Sequence, residues 1–204
     1  WQSQNLSASA TVFYNRIDDY IFQQDTGNSD PGSGLPVFTY SQDDARLQGA
    51  ELEVRGQVTS TVELGASYSF VDSENRETGE DLPLQPADEW RAHTTWSPGS
   101  WQGLQDPFLR LGVRYNANKD AAPGEPFAQF DGAPFGTAST ESYTVADLSA
   151  GFGIAHSQGE PVRLSLEVKN LTDESYRDFL DTYKGYALSP GRDIRIKLRV
   201  PFGT

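Results

Sequence analysis

The sequence predicts an all-β fold, an antiparallel transmembrane β-barrel, on three observations. The first is a period of two in the apolar residues. Near the end of the chain Val162, Leu164, Leu166 and Val168 alternate with Arg163, Ser165, Glu167 and Lys169; Ile194, Ile196, Leu198, Val200 and Phe202 alternate with Arg195, Lys197 and Arg199. Alternation of this kind gives a strand one apolar and one polar face. A long apolar face set against full charges, recurring strand after strand, fits lipid outside and a wet lumen inside. The second observation is that long and short connections alternate along the chain, as when one end of a barrel carries tight turns and the other large loops. The third is an aromatic content of 12% without any apolar run of the roughly 18 residues that a membrane helix needs. Membrane strands need no such run, and they gather aromatics into girdles at both interfaces.

The elements follow in order. The first strand runs roughly from Asn5 to Phe22, with Leu6, Ala8, Ala10, Val12 and Tyr14 on one face. Asp25 to Gly34, rich in Gly, Asp and Ser, reads as loop. The second strand runs from about Val37 to Val58, and a short turn near Thr59-Ser60 leads to a third containing Val62, Leu64, Ala66, Tyr68 and Phe70. The acidic stretch from Asp72 to Glu89 is expected to be a long loop. Trp90 to Trp96 forms the fourth strand, Ser97 to Asp106 a modest turn, and Leu109 to Tyr115 the fifth strand. A long connection, Lys119 to Ser142, precedes the sixth strand, where Ala146, Leu148, Ala150, Phe152 and Ile154 share a face. A tight turn, His156 to Pro161, opens the final pair. Trp90 is expected near the outer rim of the apolar band, with Trp96 in its inner half or at its edge.

Composition narrows the function. The absence of cysteine among 204 residues excludes a disulfide framework and thiolate metal sites. A net charge of −13 argues against nucleic acid as a partner, because phosphate binding needs clusters of Lys and Arg. No Gly-x-Ser-x-Gly or His-Glu-x-x-His motif is present, and the two histidines are not clustered, so no enzyme and no cofactor is expected. The acids around the first loop, Asp25, Asp30, Asp43 and Asp44, lack the spacing of a calcium loop and read as solvated; the metal ligands, if any, stay unassigned.

Two stretches carry a resemblance. Asn170-Leu171-Thr172-Asp173-Glu174-Ser175-Tyr176, followed by Pro190-Gly191-Arg192 and a strand ending in an aromatic, resembles the C-terminus of TonB-dependent outer-membrane receptors. Ala45-Arg46-Leu47-Gln48-Gly49-Ala50-Glu51-Leu52-Glu53 resembles the family's strand with Gly-x-Glu near its middle. The resemblance implies that residues 1–202 are the eight C-terminal strands of a barrel of about 22, sited in the outer membrane of a Gram-negative bacterium. Gly203-Thr204 then read as a remnant of cloning. The implied function is energised uptake of a metal ion, metal chelate or siderophore. The implied partners are outer-membrane lipid, the missing N-terminal strands and plug domain, the small-molecule or metal ligand, and the TonB energy-coupling protein acting through the plug. The alternative is a self-contained small barrel with a structural, adhesion or passive porin role.

On this reading the ligand meets the loops, since loops on a rigid scaffold carry binding. The candidate ligand-binding residues are Asp25, Glu80, Asp81, Asp131, Asp181 and Tyr183. His93, Arg110 and Arg114 fall on polar faces and are expected to line the lumen. Phe202 is the C-terminal aromatic expected to serve barrel assembly.

Overall fold

In the computed structural model, residues 5–123, 125, 138–155, 160–181 and 183–202 are described below. Eight strands form one antiparallel sheet in strict sequence order: β1 (Leu6–Ser29), β2 (Pro36–Thr59), β3 (Val62–Asn75), β4 (Glu89–Trp96), β5 (Leu104–Asn116), β6 (Tyr143–Ile154), β7 (Val162–Lys169) and β8 (Asp193–Arg199). The connections 30–35, 76–88, 117–142 and 170–192 lie at one end, the loop end. The connections 60–61, 97–103 and 155–161 lie at the other, the turn end.

The register sorts side chains as the alternation demands. Val54 pairs with Ala66, Ala66 with Ala92, Ala92 with Val113 and Val113 with Ala146, so one face is apolar across five strands. Leu166 and Ile196 continue it on β7 and β8. Ile194, Ile196 and Leu198 are exposed on this face, at 61–73%. The opposite face is concave and polar.

Aromatics close the apolar face at both ends. Toward the loop end, Tyr68 stacks on Trp90 at 4.1 Å and on Phe70 at 5.8 Å, and Trp90 pairs with Tyr115 across the sheet. Toward the turn end, Trp96 meets Trp101 edge-on at 5.7 Å.

Four boundaries depart from the sequence expectation. Asp25, expected in a loop, lies in β1 opposite Phe38, because the strand continues to Ser29. The turn shrinks to 30–35, where Asp30 accepts the backbone N–H groups of Gly32 and Ser33. β3 runs on to Asn75, since Asp72 and Glu74 both reach Arg46 on β2. β5 starts at Leu104, after a tight turn in which Gln102 and Gly103 both have positive φ. β8 stops at Arg199 rather than running to Phe202. Its partner strand begins at Val162, just after Pro161, and Pro201 could offer no ladder donor. Phe202 stands free at 93% exposure.

β1 and β2 have 24 residues each, whereas a tilted strand crosses a bilayer in about 9–11. Their hairpin therefore rises well beyond the apolar band. A bulge at Asp18-Asp19 bends it, with Asp19 at φ 57° donating its N–H to Asp44.

The eight strands do not close on themselves: β1 and β8 make no contact, so both are open edges. That is not the arrangement of a self-contained eight-stranded barrel. Open edges in lipid cost several kcal/mol for each unpaired backbone group. The isolated 204-residue chain is therefore expected to aggregate in detergent or liposomes. A monodisperse, heat-modifiable monomer on gel filtration would contradict this.

Candidate functional site: the concave face and its loop end

The polar face forms a trough of about 710 Å³, lined by residues of β2 to β8. His93, Arg110 and Arg114 all line it, as their strand positions require. Charges across its floor run in compensated rows. Lys169 lies 3.1 Å from Asp147 and 3.3 Å from Glu167, while Arg195 pairs with Asp193. Arg110 instead donates to the Thr95 hydroxyl at 3.4 Å.

His93 leans onto β3. Its ring occupies the space that a Cβ on Gly65 would need, and Nε2 lies 3.5 Å from Glu63. Two further rings cover glycines on this face, Phe13 over Gly49 and Phe108 over Gly151. The glycines thus serve close packing between neighbouring strands.

At the loop end the trough narrows around Arg114. Its guanidinium lies over the rings of Tyr143 (5.5 Å) and Tyr176 (5.9 Å), which stack on each other at 4.3 Å. It is also 3.8 Å from both Glu89 and Asp178, and Tyr143 donates its hydroxyl to Asp178 at 2.9 Å. A smaller cavity of about 270 Å³ adjoins this cluster beneath the loops, lined by Glu89, Arg91, Arg114, Asn116 and Asp178. The arrangement supplies cations, carboxylates and aromatic faces together. It can bind a polar ligand by charge-assisted hydrogen bonds and ring contacts. It contains no nucleophile–base pair.

Tyr176 reaches this cluster because the chain after β7 folds back inward. Asn170 and Asp173 both adopt positive φ, 50° and 59°. The Asn170 side chain accepts the Glu174 N–H at 2.8 Å and donates to its carbonyl at 2.9 Å. Asp173 accepts the Arg192 N–H at 2.8 Å. The two halves of the C-terminal motif are thus joined across the connection.

The loop candidates do not converge. Glu80, Asp81 and Tyr183 are exposed, Asp25 and Asp181 partly so, and none lines either cavity. Asp81 bridges back to Glu74, and Asp181 caps the Tyr183 N–H at 2.8 Å. Asp131 lies outside the described residues. Sequence reading passed over Glu89, Arg91, Tyr143, Tyr176 and Asp178. Glu89 and Arg91 were open to inference, since they share the parity of His93 on one strand. The remaining three required knowing how the connection folds.

Among the described residues, the loops hold one buried ion pair, Lys184 with Glu125. Burial pushes the Lys184 ammonium below the ordinary lysine range, and the Glu125 carboxylate opposes that shift.

Comparison with known proteins agrees with this architecture. The family model described as TonB dependent receptor-like, beta-barrel, matches residues 1–171. The ferric-pyoverdine 358 receptor of Pseudomonas putida is 24% identical over 198 residues, covering 97% of this chain and 22% of that receptor. The solved copper transporter OprC superposes with a TM-score of 0.75 at 21% identity, over 97% of this chain and 29% of that one. The pyoverdine outer membrane receptor FpvA of Pseudomonas aeruginosa PAO1 gives 0.66 at 19% identity, over 99% and 28%. The chain thus spans well under a third of the length of these relatives. With its meander, its apolar outer face and its match over residues 1–171, the chain belongs to the TonB-dependent receptor-like β-barrel family.

Proposed function

We propose that this chain forms the eight C-terminal strands of an outer-membrane receptor of about 22 strands, which takes up a scarce metal as an ion or a small chelate. Proteins of this family are transporters rather than enzymes. The observation that carries the reading is the open sheet, apolar and exposed on one face, polar and charged on the other, with both edges unpaired. Further strands complete the wall, and a plug domain outside this chain fills the lumen. The TonB protein pulls on that plug from the periplasm. The loop end faces outward, and Phe202 serves as the assembly signal. The metal assignment is supported by the charge of the loops. Glu80, Asp81 and Asp181 set a negative field at the mouth, felt over a Debye length of about 8 Å. Such a field favours cations and neutral chelates over strongly anionic ones.

The test uses the full receptor. Cysteines at Gly32, Glu77 and Asp181 are expected to react with an impermeant maleimide on intact cells, and those at Ser60 and Gly103 to be protected. The reverse pattern would invert the topology. Changing Glu80, Asp81 and Asp181 together to Gln, Asn and Asn is expected to slow association of a cationic metal probe severalfold at low salt, with the difference fading at high salt. Unchanged association, or tight binding of a trianionic siderophore by the native receptor, would remove the electrostatic assignment and leave the barrel standing.

A further inference from the structure

Among the described residues, the loop end holds a fully buried pair of ionisable side chains, Glu125 and Lys184. Glu125 lies in the connection 117–142 and Lys184 in the connection 170–192. Each is 1% exposed, and they are the largest fully buried side chains among the described residues. Lys184 Nζ lies 3.5 Å from Glu125 Oε1, donates to the Phe179 carbonyl at 2.6 Å and sits 3.7 Å from the centre of the Phe179 ring. Glu125 Oε2 accepts the Leu84 N–H at 3.0 Å, from a third connection, 76–88. Two side chains therefore tie together three connections that are remote in sequence. Oε1 has no hydrogen-bond partner, so the Lys184 ammonium is what compensates it.

A pair buried to this degree behaves unlike a surface bridge. Salt screens it little. Removing one member leaves the other as an uncompensated buried charge, which must find water, whereas replacing both with apolar residues of similar volume preserves the packing. The pair thus acts as a joint whose failure propagates to each connection it touches.

We infer that Glu125 and Lys184 are positioning residues of the receptor's mouth: their buried pair holds the described parts of three connections together at Leu84, Glu125, Phe179 and Lys184, so that loss of either member loosens all three. This rests on the reading of these connections as the extracellular mouth. The reporter is Leu82, which is 2% exposed and lies in the connection that contributes only a backbone N–H to the joint. This chain has no native cysteine, so labelling is read as the increment of Leu82→Cys over the otherwise unmodified receptor. In the full receptor on intact cells, labelling of this cysteine by an impermeant maleimide is expected to quicken about tenfold or more with Lys184→Met, and likewise with Glu125→Gln. A local role for Lys184 would loosen its own connection and leave Leu82 protected. The double variant Glu125→Gln/Lys184→Met, which removes both charges and keeps an acceptor for the Leu84 N–H, is expected to return labelling to within about twofold of the native rate. Unchanged labelling in both single variants overturns the inference. If the single variants fail to assemble, the double variant decides, and its rapid labelling or its own failure to assemble overturns the inference too. Glu77→Cys, placed in each background, keeps the two readings apart. Its protection on intact cells would reject the extracellular mouth itself, independently of the joint.

Discussion

Gly49→Ala is expected to destabilise the assembled receptor by about 3 kcal/mol or more, the upper range of overpacking costs. A Cβ at this position on β2 would overlap the Phe70 carbonyl oxygen on β3 and the Phe13 ring on β1. The ring can turn away; the carbonyl cannot, because β2 and β3 are locked in ladder on both sides of the site, with Ala50 opposite Phe70 and Gly49 opposite Val71. Relief therefore means breaking the ladder of backbone hydrogen bonds that flanks the site. Gly65→Ala provides the contrast. There the obstacle is the His93 ring, a side chain. Urea unfolding of the receptor in liposomes should show Gly65→Ala largely rescued by His93→Ala, and Gly49→Ala hardly improved by Phe13→Ala. Equal rescue at both sites would mean that side-chain crowding alone sets the requirement for glycine. Gly49 is also the glycine of the Gly-x-Glu stretch, so the motif has a steric cause in this chain.

How much could be read in advance follows from which interactions are local. Each strand announced itself because its neighbours in sequence alternate, and that alternation placed His93, Arg110 and Arg114 on the trough without any knowledge of pairing. Strand ends were harder. Whether Asp72 and Glu74 belong to β3 depends on Arg46 reaching them from β2, at the far side of the intervening turn. The loop acids and the ring cluster differ for a related reason. Glu80, Asp81 and Asp181 are conspicuous in composition, but chain direction decides what reaches the polar face: Glu80 and Asp81 are exposed and Asp181 partly so, while Tyr176 and Asp178 reach Arg114. The joint of Glu125 with Lys184 was illegible altogether. Neither residue stands in a pattern, and only the folded connections bring them together.

Asn170→Ala is expected to cost about 2–4 kcal/mol, combining backbone strain at φ 50° with the loss of side-chain bonds. Asn170 is 3% exposed and links several segments. Its N–H donates to Asp147 on β6 at 2.9 Å, and its side chain holds both polar groups of the Glu174 backbone and reaches the Pro190 carbonyl at 3.5 Å. These bonds set the direction in which the chain leaves β7, and so where Asp173 meets Arg192 just before β8 begins. β8 has only 7 residues and one neighbouring strand in this chain, which makes it the element most exposed to such an error. Three substitutions separate the contributions. Asn170→Gly keeps the left-handed backbone and loses the side-chain bonds, so it should cost about 1 kcal/mol less than alanine. Asn170→Asp keeps the acceptor for the Glu174 N–H but sets a carboxylate against two carbonyls, so it should fall between the native protein and alanine. Amide exchange across Asp193–Arg199, measured on the full receptor in liposomes, should quicken in the order native, Asp, Gly, Ala. Equal exchange for glycine and alanine would show that the positive φ carries no strain. Native protection in all three would detach β8 from this turn and leave its ordering to the neighbouring strands.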